Sequence, residues 1–98
     1  MFARMSTLLG SPDSIEPGIA SARDQVFPGA KELDGFKGMI ALADRSTGKM
    51  IAITLWDSQE AMHASERAAA GLRQTSADES AAQIGGVERL EVVFDERV

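Results

Sequence analysis

The chain has 98 residues, of which 44% are hydrophobic and 26% are charged, as is ordinary for one soluble globular domain. Its formal net charge of −5 is spread along the chain without a block of like charges, which argues against nucleic acid or an anionic membrane as a partner. The lack of cysteine removes disulfides, thiolate nucleophiles and Cys-ligated metal sites. We therefore expect a single domain over residues 1–98, located in the cytoplasm, without a signal peptide or a membrane span.

The first predicted elements are a strand and a helix. Phe2–Leu9 alternates as a strand does and stops at the loop sequence GSPD. A helix is predicted from Ile15, because apolar residues then recur at steps of three and four: Ile19, Ala22, Val26, Ala30 and Leu33. Pro28 lacks an amide proton and predicts a kink or break near Phe27, while Gly35 is expected to end the helix.

A hairpin and a second helix follow. Phe36–Asp44 and Met50–Trp56 read as strands joined by the loop RSTGK. Asp57 and Ser58 are rival N-caps for the next helix. Gly71 and the polar run after it make the continuity of this helix doubtful, and the sequence IGG is expected to end it.

A closing strand, Val87–Phe94, completes the order βαββαβ. This order predicts an α+β, ferredoxin-like fold, with an antiparallel sheet and both helices on one face.

The two faces of the predicted sheet differ in composition. Alternation along the strands gives one set that is almost purely apolar, which we assign to the helices: Ala3, Met5, Thr7, Leu9, Ile51, Ile53, Leu55, Leu90, Val92 and Phe94. The other set is mixed, with Phe2, Leu8, Met50, Ala52, Trp56, Val87 and Val93 around Arg4, Ser6, Thr54, Arg89 and Glu91. Since so much apolar surface is a liability in water, we expect a second copy to cover this mixed face.

Several stretches together resemble the antibiotic biosynthesis monooxygenase family of dimeric α+β barrels. They are the first strand, SPDSIEPGIASARDQVFPGAKELDGFKG, the hairpin, ITLWDSQEAM and the closing VERLEVV, which cover nearly the whole chain. The resemblance implies that two ferredoxin-like sheets pack face to face in a homodimer or a higher oligomer, with a small-molecule cavity between sheet and helices or in the barrel. Members of the family include cofactor-free monooxygenases acting on polyketide phenols, haem-degrading enzymes and proteins without an assigned reaction.

Haem degradation is the least expected of these activities. In the family this activity goes with an Asn on the first strand and with a Trp and a His on or after the second helix. This chain has no Asn, and its only Trp, Trp56, precedes that helix. Its only His, His63, has Glu60, Glu66 and Arg67 at helical spacing, which indicates a solvated helix face. His63 is accordingly read as a surface residue and only secondarily as a proton shuttle.

The candidate ligand-binding residues are the polar and aromatic members of the mixed face: Arg4, Ser6, Thr54, Trp56, Arg89 and Glu91. Alternation places them on one side of the sheet, where Arg4 or Arg89 would stabilise an oxyanion and Trp56 would stack on a planar ring. A structural interpretation stands beside each role, because Arg89 and Glu91 would also suit ion pairs across a dimer and Trp56 would also suit a core. No cofactor and no metal site are expected, since one His and no Cys make no ligand cluster.

Three functions remain open from the sequence. The first is a dimeric α+β barrel that binds a small apolar or aromatic molecule, and the second is a cofactor-independent monooxygenase acting on phenols. The third is a structural dimer whose interface is filled, for example by Trp56, Met50 and Phe2.

Overall fold

A computed structural model describes all 98 residues. Four strands, β1 (Phe2–Leu9), β2 (Phe36–Asp44), β3 (Lys49–Trp56) and β4 (Gln83–Glu91), form one antiparallel sheet in the order β2-β3-β1-β4. The predicted α+β, ferredoxin-like fold is therefore confirmed.

The first helical region is continuous but irregular. A 3₁₀ turn at Pro12–Ser14 leads into α1 (Ile15–Ser21), a π-helical turn at Ala22–Val26 and then α2 (Phe27–Ala30). Pro28 cannot donate to the preceding turn, and the wide π turn lies directly before it. The irregularity predicted near Phe27 is thus a π turn, and the helix ends at Ala30, well before Gly35.

The second helical region consists of α3 (Gln59–Ala64) and α4 (Glu66–Ser80). Of the two rival caps, Ser58 is the one used, since its hydroxyl accepts a hydrogen bond from the Ala61 amide at 3.1 Å. The doubt about continuity at Gly71 was misplaced, because α4 runs through this glycine without a break. The helix ends where Ala81 adopts a left-handed conformation with φ of 54°.

The closing strand begins earlier and ends earlier than the sequence predicted. The sequence IGG was expected to end a helix, but Ile84 to Gly86 lie within β4. Val92 and Phe94 lie beyond the end of this strand. A register shift opposite Thr7 and Leu8 of β1 accommodates the glycine pair, which is typical of a β-bulge.

The face assigned to the helices was wrong. Arg4 is only 2% exposed and donates to Met62, Ser65 and Glu66 of the second helical region. Because residues paired across antiparallel strands share a face, the whole mixed set of β1 and β3 packs against the helices. The chain's own helices therefore cover the mixed face and not the most apolar one.

The purer apolar set instead forms the side of the sheet that no helix covers, which we call the open face. By strand alternation it comprises Met5, Leu9, Ile40, Leu42, Ile51, Ile53, Leu55 and Leu90. Leu9, Leu42 and Leu90 are each about half exposed. This face is too apolar to be an ordinary water-facing sheet surface.

Two glycines fix tight turns at the ends of the sheet. Gly48 closes the hairpin between β2 and β3 with φ of 87°, and a Cβ there would clash with the Ser11 carbonyl group. Gly35 has φ of 81° and accepts a hydrogen bond from the Asp57 amide. Both backbone conformations are ones that an L side chain rarely adopts. None of the helices is both long enough and apolar enough to cross a membrane.

Candidate ligand-binding site

The main cavity lies between the sheet and the helices. Its enclosed volume is about 60 Å³, and most of its lining residues are hydrophobic. β1 and β3 form its floor, α1, the π turn and α2 form one wall, and α4 forms the other. This volume is well below the roughly 300–1,000 Å³ of typical small-molecule sites, so the walls must move apart to admit a ligand.

Arg4 is the buried charge at the polar end of this cavity. Its Nη2 donates to the Met62 carbonyl at 2.7 Å and to Ser65 Oγ at 3.0 Å, and its Nε donates to Glu66 Oε1 at 3.0 Å. Its Nη1 is buried and has no hydrogen-bond partner. A buried donor without an acceptor is costly, so this nitrogen marks a place where an acceptor is missing.

Glu66 bridges Arg4 and Arg89. Its Oε2 accepts from Arg89 Nη2 at 2.7 Å, while its Oε1 accepts from both arginines. The hydrogen bonds from Arg89, reinforced by Arg4, outweigh the effect of burial and hold the pKa of Glu66 at about 2. Glu66 is therefore a carboxylate throughout the physiological range, and Arg89 belongs to this ion pair at the rim.

Arg73 is the cavity's unpaired cation. Its Nε donates to Ser6 Oγ at 3.0 Å, and its two Nη nitrogens have no hydrogen-bond partner in the protein. Burial, together with the positive charges of Arg4 and Arg89, lowers the pKa of Arg73 below its ordinary value despite the nearby Glu66. The surroundings of Arg73 thus disfavour its positive charge. Arg73 nevertheless lines the cavity, where an anion would favour that charge.

Trp56 forms the aromatic part of the cavity floor. The ring is 1% exposed, its Nε1 donates to Thr54 Oγ1 at 3.0 Å, and the Phe36 ring packs edge-on at 5.5 Å. The guanidinium of Arg4 lies over the indole, 5.4 Å from its centroid. The indole is thus held by a hydrogen bond, an edge-on ring contact and a cation–π contact next to the charged end of the cavity.

The structure brings most of the predicted site residues together, although on the helix side of the sheet. Arg4, Ser6, Thr54 and Trp56 line the cavity, while Arg89 reaches its edge through Glu66. Glu91 pairs with Phe2 at the end of β4, is exposed and makes no side-chain hydrogen bond or ion pair. Glu66, and not Glu91, is the carboxylate between the two arginines.

His63 is exposed on α3 and does not line the cavity. No group of three or more His, Cys, Asp or Glu side chains is arranged to hold a metal ion. The helix-borne polar groups are instead Glu66 and Arg73, both missed from the sequence. Glu66 was read as part of a solvated face, but its spacing from Ala69, Arg73 and Ser76 places all four on one side of α4.

The fold is that of the antibiotic biosynthesis monooxygenase proteins, as the sequence resemblance indicated. A Chloroflexus aurantiacus structure described as one of them matches with a TM-score of 0.66 at 16% identity, over 98% of this chain and 96% of that one. A monooxygenase from the Streptomyces coelicolor gene ActVA-Orf6, in complex with nanaomycin D, gives 0.69 at 16% identity over 99% and 89%. SnoaB, a cofactor-independent oxygenase of Streptomyces nogalater, gives 0.64 at 13% identity over 96% and 92%. At such identities the matches show the fold alone.

In sequence, the chain is similar to Rv2558, an uncharacterised protein of Mycobacterium tuberculosis. The two are 38% identical over 91 residues, which make up 93% of this chain. The chain spans only 37% of the length of that relative. No protein-family model matches the chain.

Proposed function

We propose that this protein binds a small apolar or aromatic molecule in the cavity between its sheet and its helices. The observation that carries the proposal is the cavity itself, which is mostly apolar and charged at one end only. A few polar groups in an apolar pocket are the usual composition of a small-molecule site. Trp56 contributes aromatic surface to the lining, and Ser6 and Thr54 contribute hydroxyl groups.

We further propose that the functional unit is a homodimer joined through the open face. Leu9, Leu42 and Leu90, each about half exposed, surround a centre formed by Ile51 and Ile53 of β3. A stable dimer buries roughly 1,200–2,000 Å² in total, and one apolar face of a four-stranded sheet is suited to contribute half of that area. The pairing of two such sheets is the arrangement implied by the resemblance to the dimeric α+β barrels.

A matched pair of substitutions on α4 tests the binding proposal. Ala69 lines the cavity and its neighbour Ala68 is exposed, so Ala69→Leu fills the cavity whereas Ala68→Leu changes only the surface. Both residue types favour helices, which keeps the backbone cost small. Calorimetric titration with naphthalene derivatives should show binding to the wild type and to Ala68→Leu, and none to Ala69→Leu. Equal binding by both variants would rule out this cavity as the site.

Cofactor-independent monooxygenation is the second candidate, and the fold shared with SnoaB and the ActVA-Orf6 protein favours it. An electron-rich phenol, once deprotonated, would itself supply the electrons that reduce oxygen, and the protein would hold the anion away from water. Oxygen uptake that depends on a phenolic substrate and is lost in Ala69→Leu would support catalysis. Saturable binding without oxygen uptake would leave the binding function alone.

A further inference from the structure

The polar end of the cavity carries an excess of positive charge. Three arginines, Arg4, Arg73 and Arg89, share one carboxylate, Glu66, which gives the cluster a formal charge of +2. The chain as a whole has a net charge of −5, so this local excess is not a general property of its surface. Glu66 satisfies Arg89 and part of Arg4, and nothing neutralises Arg73.

Two sets of hydrogen-bond donors are left over at this end. One is Arg4 Nη1, which is buried and has no acceptor, and the other is the pair of Nη nitrogens of Arg73, a residue that is only partly buried. Folded proteins nearly always satisfy buried donors, and an unsatisfied one calls for a specific explanation. A guanidinium presents its donors in a planar fork that matches an oxyanion with two oxygens, such as a carboxylate.

We propose that Arg4 and Arg73 form an oxyanion-binding site, so that the ligand of the cavity is a monoanion with an apolar body and one charged head. The apolar body would lie against Trp56 and the aliphatic wall, and the head would accept from Arg4 Nη1 and the free end of Arg73. This inference rests on the proposed binding function and narrows the class of ligand to acids. A carboxylate and an ionised phenol share the required chemistry.

The cost of Arg73 to the empty protein supports its role as a binding group. Burial and repulsion from Arg4 disfavour its charge, and a charge kept in such a position is characteristic of functional sites. A bound anion would remove the repulsion and complete the hydrogen bonding of both arginines. A bound anion would therefore stabilise the charged form of Arg73.

Two matched pairs of ligands and one ionised phenol test the inference. Naphthalene-2-carboxylate and decanoate are each compared with their uncharged primary amides, and 2,4-dinitro-1-naphtholate serves as an ionised phenol. Each carboxylate should bind the wild type at least about tenfold more tightly than its amide, which corresponds to one charge-assisted hydrogen bond. Binding of the carboxylates alone would identify the head as a carboxylate, and binding of the naphtholate as well would extend it to phenols.

The matched variants are Arg73→Met and Arg67→Met on the same helix. Arg67 is exposed and makes no ion pair, so its replacement should leave every affinity unchanged. Arg73→Met should lower carboxylate affinity about tenfold, leave amide affinity unchanged and raise the unfolding midpoint of the ligand-free protein. Amides that bind as well as the acids, with no effect of Arg73→Met, would overturn the oxyanion site while leaving the cavity as a binding site. Failure of every probe to bind would overturn both proposals.

Discussion

Replacing Glu66 by Gln should destabilise the protein far more than a typical surface substitution. The change removes the only carboxylate that contacts Arg4 and Arg89, and Arg4 is 2% exposed. Removing one partner of a buried pair costs about 3–5 kcal/mol, whereas an exposed pair contributes about 0–1 kcal/mol. The Glu66 side chain is 28% exposed and so lies between these cases. We expect a loss of about 2–3 kcal/mol for Glu66→Gln.

The exposed pair between Arg45 and Glu16 provides the control. Their side chains are 66% and 73% exposed, and a single hydrogen bond of 2.6 Å joins them. Glu16→Gln should therefore cost less than about 1 kcal/mol. Urea unfolding at one fixed protein concentration gives both values, since oligomerisation would make the midpoint depend on concentration. Equal losses in the two variants would refute the argument that burial of Arg4 amplifies the effect.

The pH dependence supplies an independent check of the same ion pair. The pKa of Glu66 is lowered in the folded protein from 4.5 to about 2, first by Arg89 and then by Arg4. A carboxyl group with a lowered folded pKa contributes stability that is complete above its unfolded pKa and is lost as the pH falls through the folded value. The difference between wild type and Glu66→Gln should thus be constant near neutral pH and shrink between pH 4.5 and about 2. A difference that stays unchanged down to that pH would contradict the assignment.

Two further predictions concern the open face and the glycines. Ile53→Glu places a charge at the centre of the open face. Because an unpaired charge buried in an interface costs several kcal/mol, this variant should sediment as a folded monomer. Ala70→Glu, on the exposed side of α4, should leave the dimer intact. The same charge at Ala52 would enter the cavity instead, since Ala52 faces the helices. A wild type that is monomeric at micromolar concentration would remove the dimer proposal. Gly71→Ala should stabilise the folded protein by about 0.5–1 kcal/mol, because nothing lies near the added methyl group. Gly48→Ala should destabilise it by about 1–3 kcal/mol, because alanine is strained at this positive φ. Thermal unfolding that ranks the two variants the other way would contradict both predictions.

The order and type of the main elements follow from the sequence, whereas the orientation of the sheet does not. Alternation in Phe2–Leu9 and in the hairpin strands identifies which residues share a face, and this grouping depends only on backbone geometry. Which face meets the helices depends on packing partners distant in sequence. Arg4 can be buried only because Ser65 and Glu66, about sixty residues later, supply its acceptors.

The candidate site was predictable to a similar extent. Arg4, Ser6, Thr54 and Trp56 are grouped correctly by strand alternation, and they do line one cavity. The helix contribution was lost because the residues around His63 were read as solvated, when α4 in fact turns Glu66 and Arg73 towards the sheet. The three-residue and four-residue spacing along α4 places Glu66 and Arg73 on one side of the helix. The sequence did not indicate that this side faces the sheet, where the buried Arg4 of β1 needs a carboxylate.

The burial of Trp56 gives the protein an intrinsic optical reporter of its own site. It is the only tryptophan in the chain, it has no tyrosine beside it to contribute emission, and it is 1% exposed on the cavity floor. Its emission should lie at short wavelength in the folded state and move to longer wavelength on unfolding. Because Arg4 lies over the indole, an anion that accepts a hydrogen bond from this guanidinium should alter the fluorescence quantum yield of Trp56. Ligand binding in the cavity can therefore be followed without an attached label.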